Sequence, residues 1–250
     1  MSEIIIAFDL YGTLLSTNSI AQALEKHFGH DKAQTISALW RRYQLEYTWR
    51  LNSMGRQRCA PIPSSITLTV SERYVDFDQV TRNSLQHALS EHNEKLSDND
   101  TDQLLEAYDH LSTFSDVNPA LNRVGAEPTL KAVIFSNGTK TMVANSVLRS
   151  KDLAPHASVF SDIVTVDHFQ QYKPARASYQ HLADQVGKDP KELWLVSGNP
   201  FDIVGARNMG MNAIWVDRAC AGWKDAAVPA LRPTCIVHSL EHVVGAVLGK

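Results

Sequence analysis

A doubly wound α/β fold is predicted for this sequence, with a parallel, Rossmann-like sheet covered by helices and a helical cap domain inserted after the first strand. Four short apolar runs, at 4–8, 132–135, 193–196 and 213–216, have the length and continuous hydrophobicity of strands buried on both faces. Helix-length segments separate the later runs, the alternation that builds parallel sheets. The stretch from Ser19 to Leu111 breaks that alternation. It lacks a convincing buried strand and carries apolar residues at helical spacing.

The run at 4–8 is the first strand, and Asp9 is the first polar residue after it. In the inserted region, Ile36, Leu39, Trp40, Tyr43 and Tyr47 recur at three- and four-residue intervals, as do Leu104, Leu105, Tyr108 and Leu111. The acidic stretch Asp98-Asn99-Asp100-Thr101-Asp102 does not make a calcium loop, because Gln103 and Asp109 stand where that loop needs Gly and Glu. It reads as a helix start, where caps and acidic side chains complement the dipole. After the insertion come the strands at 132–135, 193–196 and 213–216, with a weaker one at 163–166. Ser136 and Ser197 follow their strands as Asp9 follows the first, and open α/β sheets place their sites at such carboxyl ends. The expected division is a core of 1–17 and 115–250 and a helical cap of 18–114. Within the cap, GRQRCAPIPSSITLTVSE at 55–72 carries two prolines and a β-prone run, so it reads as a surface loop or a disordered insert.

The chain has 250 residues, 44% of them hydrophobic, enough for a sizeable packed core. A net charge of -3 supplies no basic footprint for nucleic acid. Cys59, Cys220 and Cys235 are far apart and make no metal-ligand pair, so free thiols in a reducing, cytoplasmic setting are expected. The opening apolar run is too short for a signal peptide, and no run reaches membrane-spanning length.

An isolated Asp after a strand is most often a turn former. Here Gly12 permits a tight backbone and Thr13 offers a hydroxyl to the carboxylate. Asp9-x-x-Gly12-Thr13 after an apolar strand resembles the nucleophile motif of the haloacid dehalogenase superfamily. Ser136-Asn137-Gly138, Lys173-Pro174 and Ser197-Gly198-Asn199-Pro200-Phe201-Asp202 resemble its second, third and fourth motifs, in order. Phe8-Asp9-Leu10-Tyr11-Gly12-Thr13, Leu39-Trp40-Arg41, Gln44-Leu45-Glu46-Tyr47-Thr48-Trp49 and Tyr172-Lys173-Pro174 are similar to type II (S)-2-haloacid dehalogenases in particular. The resemblance spans nearly the whole chain outside 55–72. Met54 joined directly to Arg73 would continue the family's pattern, so 55–72 reads as an addition to it, such as translated non-coding sequence.

The superfamily's phosphatases carry a second acid two residues after the nucleophile, to protonate the leaving group, and use magnesium. Tyr11 stands at that position, and the fourth motif offers only Asp202. Magnesium would be short of oxygen ligands. Halide leaves as a stable anion and needs neither metal nor proton, so no cofactor is expected. The resemblance implies that Asp9 attacks C2 of an (S)-2-haloacid, inverting it, and that water then releases the (R)-2-hydroxyacid from the aspartyl ester. It implies Lys173 as the cation that keeps Asp9 ionised, Arg41 as the halide residue, and Asp202 as the partner of the water. Thr13, Ser197 and Asn199 are expected to orient the two aspartates. Ser136, Asn137 and Tyr179 are expected at the substrate, within an apolar wall of Tyr11, Leu45, Phe77 and Phe201. From residue type alone, Arg41 reads as a helix-face cation and Tyr179 as helix core.

Three positions depart from the family pattern: Arg42 for Gln, Phe201 for Trp and Gly198 for Ser. The added cation of Arg42 is expected to favour a larger or more acidic substrate. The expected partner is a small 2-haloacid or related carboxylate; the family implies a homodimer, and the aromatic helix around 40–49 either serves that contact or is buried inside the cap. The alternatives are a related hydrolase acting on another small acid or a metabolic intermediate, and a non-catalytic homologue.

Overall fold

The computed structural model describes residues 3–54 and 74–249; the expectation for 55–72, and Cys59 with it, lies outside the described residues. In chain order the elements are β1 (Ile4–Phe8), α1 (Ala21–Phe28), α2 (His30–Met54), α3 (Phe77–Glu91), α4 (Asp98–Tyr108), α5 (Val117–Gly125) and β2 (Leu130–Ser136). There follow α6 (Lys140–Leu148), β3 (Phe160–Thr165), α7 (Arg176–Val186), β4 (Leu193–Ser197), α8 (Pro200–Asn208), β5 (Asn212–Val216), β6 (Cys235–Val237) and α9 (Val243–Leu248). The sheet is parallel throughout, in the order β3-β2-β1-β4-β5-β6.

The continuous apolar runs have a direct cause. In β1, β2, β4 and β5 nearly every residue is buried, because helices cover both faces. The edge strand β3 exposes Ser161 and Asp162, which is why its apolar run looked weak and short. The opposite edge, β6, was not anticipated. It has three residues, and Ile236 is exposed, so it carries almost no pattern.

The chain runs outward from β1 through β2 to β3, then crosses back to the other side of β1 as β4. Strand order therefore reverses beside β1, and a crevice opens at the carboxyl ends of β1 and β4. Asp9 begins where β1 ends, its N–H bonded to Val196 O at 3.0 Å. The chain leaves the sheet and returns to it side by side: Ser16 N–H donates to Ser112 O at 2.8 Å, and Leu15 bridges Thr113. Between these points, α2 packs on α1 and α3. Ala33, Ile36, Trp40, Tyr43, Gln44 and Thr48 form the buried stripe of α2. Trp40 donates to Thr81 O at 2.8 Å, tying α2 to α3. The acidic stretch at 98–102 opens α4, with Ser97 as N-cap accepting from Asp100 N–H.

A second tie fastens the loop after β1. Arg218, just beyond β5, makes two 2.9 Å bonds to Asp116, a third of 2.9 Å to Thr13 O, and lies 3.9 Å over the Phe114 ring. Arg218→Ala should leave a largely buried Asp116 carboxylate unpaired. Partial exposure lowers the cost to about 2 kcal/mol, read as a lower urea midpoint at unchanged slope.

Candidate active site

Three ionised side chains meet at the carboxyl edge of the sheet. Lys173 Nζ lies 2.9 Å from Asp9 Oδ1, 2.8 Å from Asp202 Oδ2 and 2.9 Å from Phe135 O. All three are buried: the side chains of Lys173, Asp9 and Asp202 retain 1%, 8% and 0% of their exposure. An isolated charge at such depth would be prohibitive, so the pairing is a condition of folding as well as of chemistry. Burial alone would lower the Lys173 ammonium, but the Asp202 and Asp9 carboxylates outweigh it and hold its pKa above the ordinary 10.5. Asp202 moves up from 3.8, because burial and the charge of Asp9 together outweigh Lys173.

The two oxygens of Asp9 are held differently. Oδ2 accepts from Thr13 Oγ1 at 2.6 Å, Asn199 Nδ2 at 2.7 Å and Ser197 Oγ at 3.2 Å. Oδ1 takes Lys173 Nζ. Local chain geometry supplies those donors. Gly12, at φ +86°, turns the loop so that Thr13 faces back to Asp9. Gly198 lets the fourth-motif loop lie against it: a Cβ there would stand 2.5 Å from Gly12 O. The departure from Ser at this position is therefore a packing fit between two loops.

Asp202, in the first turn of α8, is clamped from behind. Tyr179 Oη donates to its Oδ1 at 2.7 Å. Tyr179 is fully buried, with its ring in van der Waals reach only because Gly205 has no Cβ. This corrects the expectation of a substrate contact: the hydroxyl is committed to Asp202, so Tyr179 positions that acid. Burial first, and then the Asp202 charge, push its pKa well above 10.0, so it stays a donor.

Arg41 reaches over from α2. Its guanidinium donates to Tyr11 O at 3.1 Å and to Asn199 Oδ1 at 3.4 Å, the amide whose Nδ2 in turn donates to Asp9 Oδ2. Gln44 holds it there, accepting from Arg41 at 2.7 Å and from Tyr108 Oη at 3.0 Å while donating to Thr81 Oγ1 at 2.8 Å. Sequence reasoning places Gln44 in a family phrase and Tyr108 on a helical stripe, without a role at the site for either; the only signal is an amide on the apolar stripe of α2, close to Arg41.

Tyr11 turns its ring, not an acid, toward the cap. It stacks on Phe77 at 5.7 Å and lies 5.7 Å from Tyr108. Burial, with Tyr108 and Asp109 adding to it, drives its hydroxyl far above 10.0, so it cannot serve as a general acid. Phe201 meets the edge of Trp49 at 5.6 Å. Leu45 is half-buried, one turn from Arg41 on the same face of α2. Ser136 Oγ accepts from Gly138 N–H at 3.1 Å, and Asn137 Oδ1 accepts from Lys173 N–H at 2.8 Å.

Arg42 lies on the outer surface of α2, 3.6 Å from Glu46 and 4.7 Å over the Tyr43 ring, with Glu91 beyond. The contacts of Arg42 are with the outer groups Glu46, Tyr43 and Glu91, and none is with Asp9, Lys173 or Asp202 among the described residues.

Among the described residues no cluster of His, Cys, Asp and Glu forms a cation cage. Each carboxylate oxygen of Asp9 and Asp202 accepts from a protein donor, and the ammonium occupies the space between the acids. That donor set does not fit a divalent ion.

The comparisons with known proteins agree with this geometry. The model of haloacid dehalogenase-like hydrolases matches residues 5–210. This chain belongs to that family. It is 31% identical to an (S)-2-haloacid dehalogenase of Pseudomonas fluorescens, over 93% of this chain and 91% of that protein. It is 33% identical to (S)-2-haloacid dehalogenase H-109 of Pseudomonas putida, over 85% of each. Among solved structures it resembles the L-2-haloacid dehalogenase of Xanthobacter autotrophicus with chloropropionic acid covalently bound, at 25% identity and a TM-score of 0.81, covering 99% of each chain.

Lys173→Met should cost about 3–5 kcal/mol at pH 7, because two buried carboxylates then face each other without a cation. The Asp202 carboxyl, already raised by burial, rises further once the cation is gone, so the native state binds more protons than the unfolded one, and the deficit should shrink as pH falls toward about 5. Urea denaturation of both proteins across that range measures it. In the native protein the Lys173 contribution is complete below pH 10.5 and lost only as pH rises above that value.

Proposed function

We propose that this member of the haloacid dehalogenase-like hydrolases cleaves the carbon–halogen bond of small (S)-2-haloacids and releases (R)-2-hydroxyacids, without a metal. The observation that carries this reading is the buried Asp9–Lys173–Asp202 charge chain. It supplies a desolvated carboxylate nucleophile and places the Lys173 ammonium between the two acids, where a bridging ion would have to sit. The relatives named as 2-haloacid dehalogenases support the same reaction, and one holds chloropropionic acid covalently.

The roles follow from the bonding. Asp9 Oδ1 carries fewer donors than Oδ2 and keeps a lone pair for the attack on C2, with halide leaving on the far side. Arg41, braced by Gln44, offers positive charge to that halide. The ester then has Oδ2 as its carbonyl oxygen. When water adds to the Asp9 side-chain carbon, charge develops on Oδ2, where Thr13, Asn199 and Ser197 already donate. Asp202 takes the water's proton, directly or through the network it shares with Lys173, and returns it to Oδ1 as the bond between Oδ1 and the Asp9 side-chain carbon breaks, so the C2–oxygen bond survives in the released hydroxyacid. Tyr11, Phe77, Leu45 and Phe201 keep bulk water away. If two copies pair through 40–49, the contact engages Trp49, at 39% exposure, because Trp40 is buried.

Halide release from (S)-2-chloropropionate, with (R)-lactate as product, should persist in excess EDTA and vanish in Asp9→Asn. Loss on chelation would overturn the metal-free reading. Absence of release from folded protein would move the substrate to another small carboxylic acid.

The pH profile has a definite sign. Asp202 must be ionised to take a proton, and its pKa is raised above 3.8, so kcat should fall on acidification with a midpoint above that value. Lys173 imposes no alkaline limb below 10.5. A steady-state profile of kcat with Asp202→Asn alongside tests both statements.

A further inference from the structure

Tyr172, the residue before Lys173, is held by the helical segment at every polar atom. Its N–H donates to Asn52 Oδ1 at 2.9 Å, and its carbonyl accepts from Asn52 Nδ2 at 2.7 Å. Its hydroxyl donates to Val75 O at 2.6 Å. The ring is buried, stacked on Tyr74 at 5.5 Å and 6.1 Å from Phe77. Asn52, near the end of α2, thus holds both backbone polar groups of one residue, as a neighbouring strand would. Asn137 Oδ1 holds the next N–H, that of Lys173 itself. The ammonium at the end of that side chain must stay within hydrogen-bond reach of three oxygens at once. A backbone shift of about 1 Å would lengthen all three contacts, an error that costs on the order of a hundredfold in rate when it falls on reacting groups.

We propose that Asn52 is a positioning residue for the dehalogenation reaction: its two-point clamp on the Tyr172 backbone aligns Lys173 between Asp9 and Asp202. The proposal rests on the reading of Lys173 given above. It separates Asn52 from a mere docking contact of α2, because the clamped carbonyl belongs to the peptide bond whose N–H is that of Lys173.

The test compares wild type with Asn52→Ala and Asn52→Asp. The Asp variant keeps the acceptor for Tyr172 N–H and turns a second oxygen against Tyr172 O. Two readouts are taken: kcat and KM for (S)-2-chloropropionate, and acetylation of each lysine by acetic anhydride, located by peptide mass spectrometry. In both variants kcat should fall about 10- to 100-fold with KM within about threefold, while the melting midpoint stays close to wild type. Lys173, protected in wild type, should gain label selectively. Unchanged kcat with Lys173 still protected overturns the proposal. So does a general rise in labelling of all lysines with a lowered melting midpoint, which marks Asn52 as a support of the fold alone. Wild-type protein that releases no halide defeats the dehalogenase reading instead, and selective labelling of Lys173 still decides whether the clamp exists.

Discussion

A buried ammonium between two buried carboxylates is the constraint on which the rest of this structure depends. Lys173, Asp9 and Asp202 come from three distant parts of the chain and are withdrawn from water together. None is tolerable at that depth without the others, since desolvation of an unpaired ion costs several kcal/mol or more. On the proposed reading, the same pairing places the Asp9 carboxylate out of water beside a cation, as a nucleophile of this kind requires. Stability and reactivity here are one arrangement read in two ways.

Around that chain of charge lies a shell of neutral side chains that fix direction. Thr13, Ser197 and Asn199 converge on Asp9 Oδ2, Tyr179 on Asp202, Gln44 on Arg41, and Asn52 and Asn137 on the backbone of 172–173. Two glycines make room for them, Gly198 against the Gly12 loop and Gly205 beneath Tyr179. Most of these groups come from loops or first helical turns at the carboxyl edge of the sheet, where packing leaves side chains directed at a common point. Arg41, Gln44 and Asn52 come instead from α2, so the helical segment completes a site that the sheet begins.

Tyr11 shows how one residue can redirect an inherited scaffold. In place of an acid it supplies an aromatic ring, packed against Phe77 and Tyr108, whose hydroxyl stays protonated. The site loses a proton donor and a metal ligand and gains a dry wall. A leaving group that departs as a stable anion needs only the latter.

The amino-acid sequence by itself determined the parallel sheet, the helical insertion and the identity of the charged residues. Continuous apolar runs have no other stable place than a sheet covered on both faces, and the motifs stand at strand ends. Its limits were also physical. β3 and β6 lie at the edges, where burial is incomplete and the pattern fades. Tyr179 read as a substrate contact and Arg42 as a site cation, because spacing along a chain does not say which way a side chain points. Gln44 reads only as part of a family phrase, Tyr108 only as an apolar helix position and Asn52 as nothing in particular, because their importance lies in what they hold, 64 residues away for Tyr108 and 120 for Asn52. Only the tertiary structure decided those partners, since hydrogen bonds between distant segments depend on folded geometry and leave no local period in the sequence.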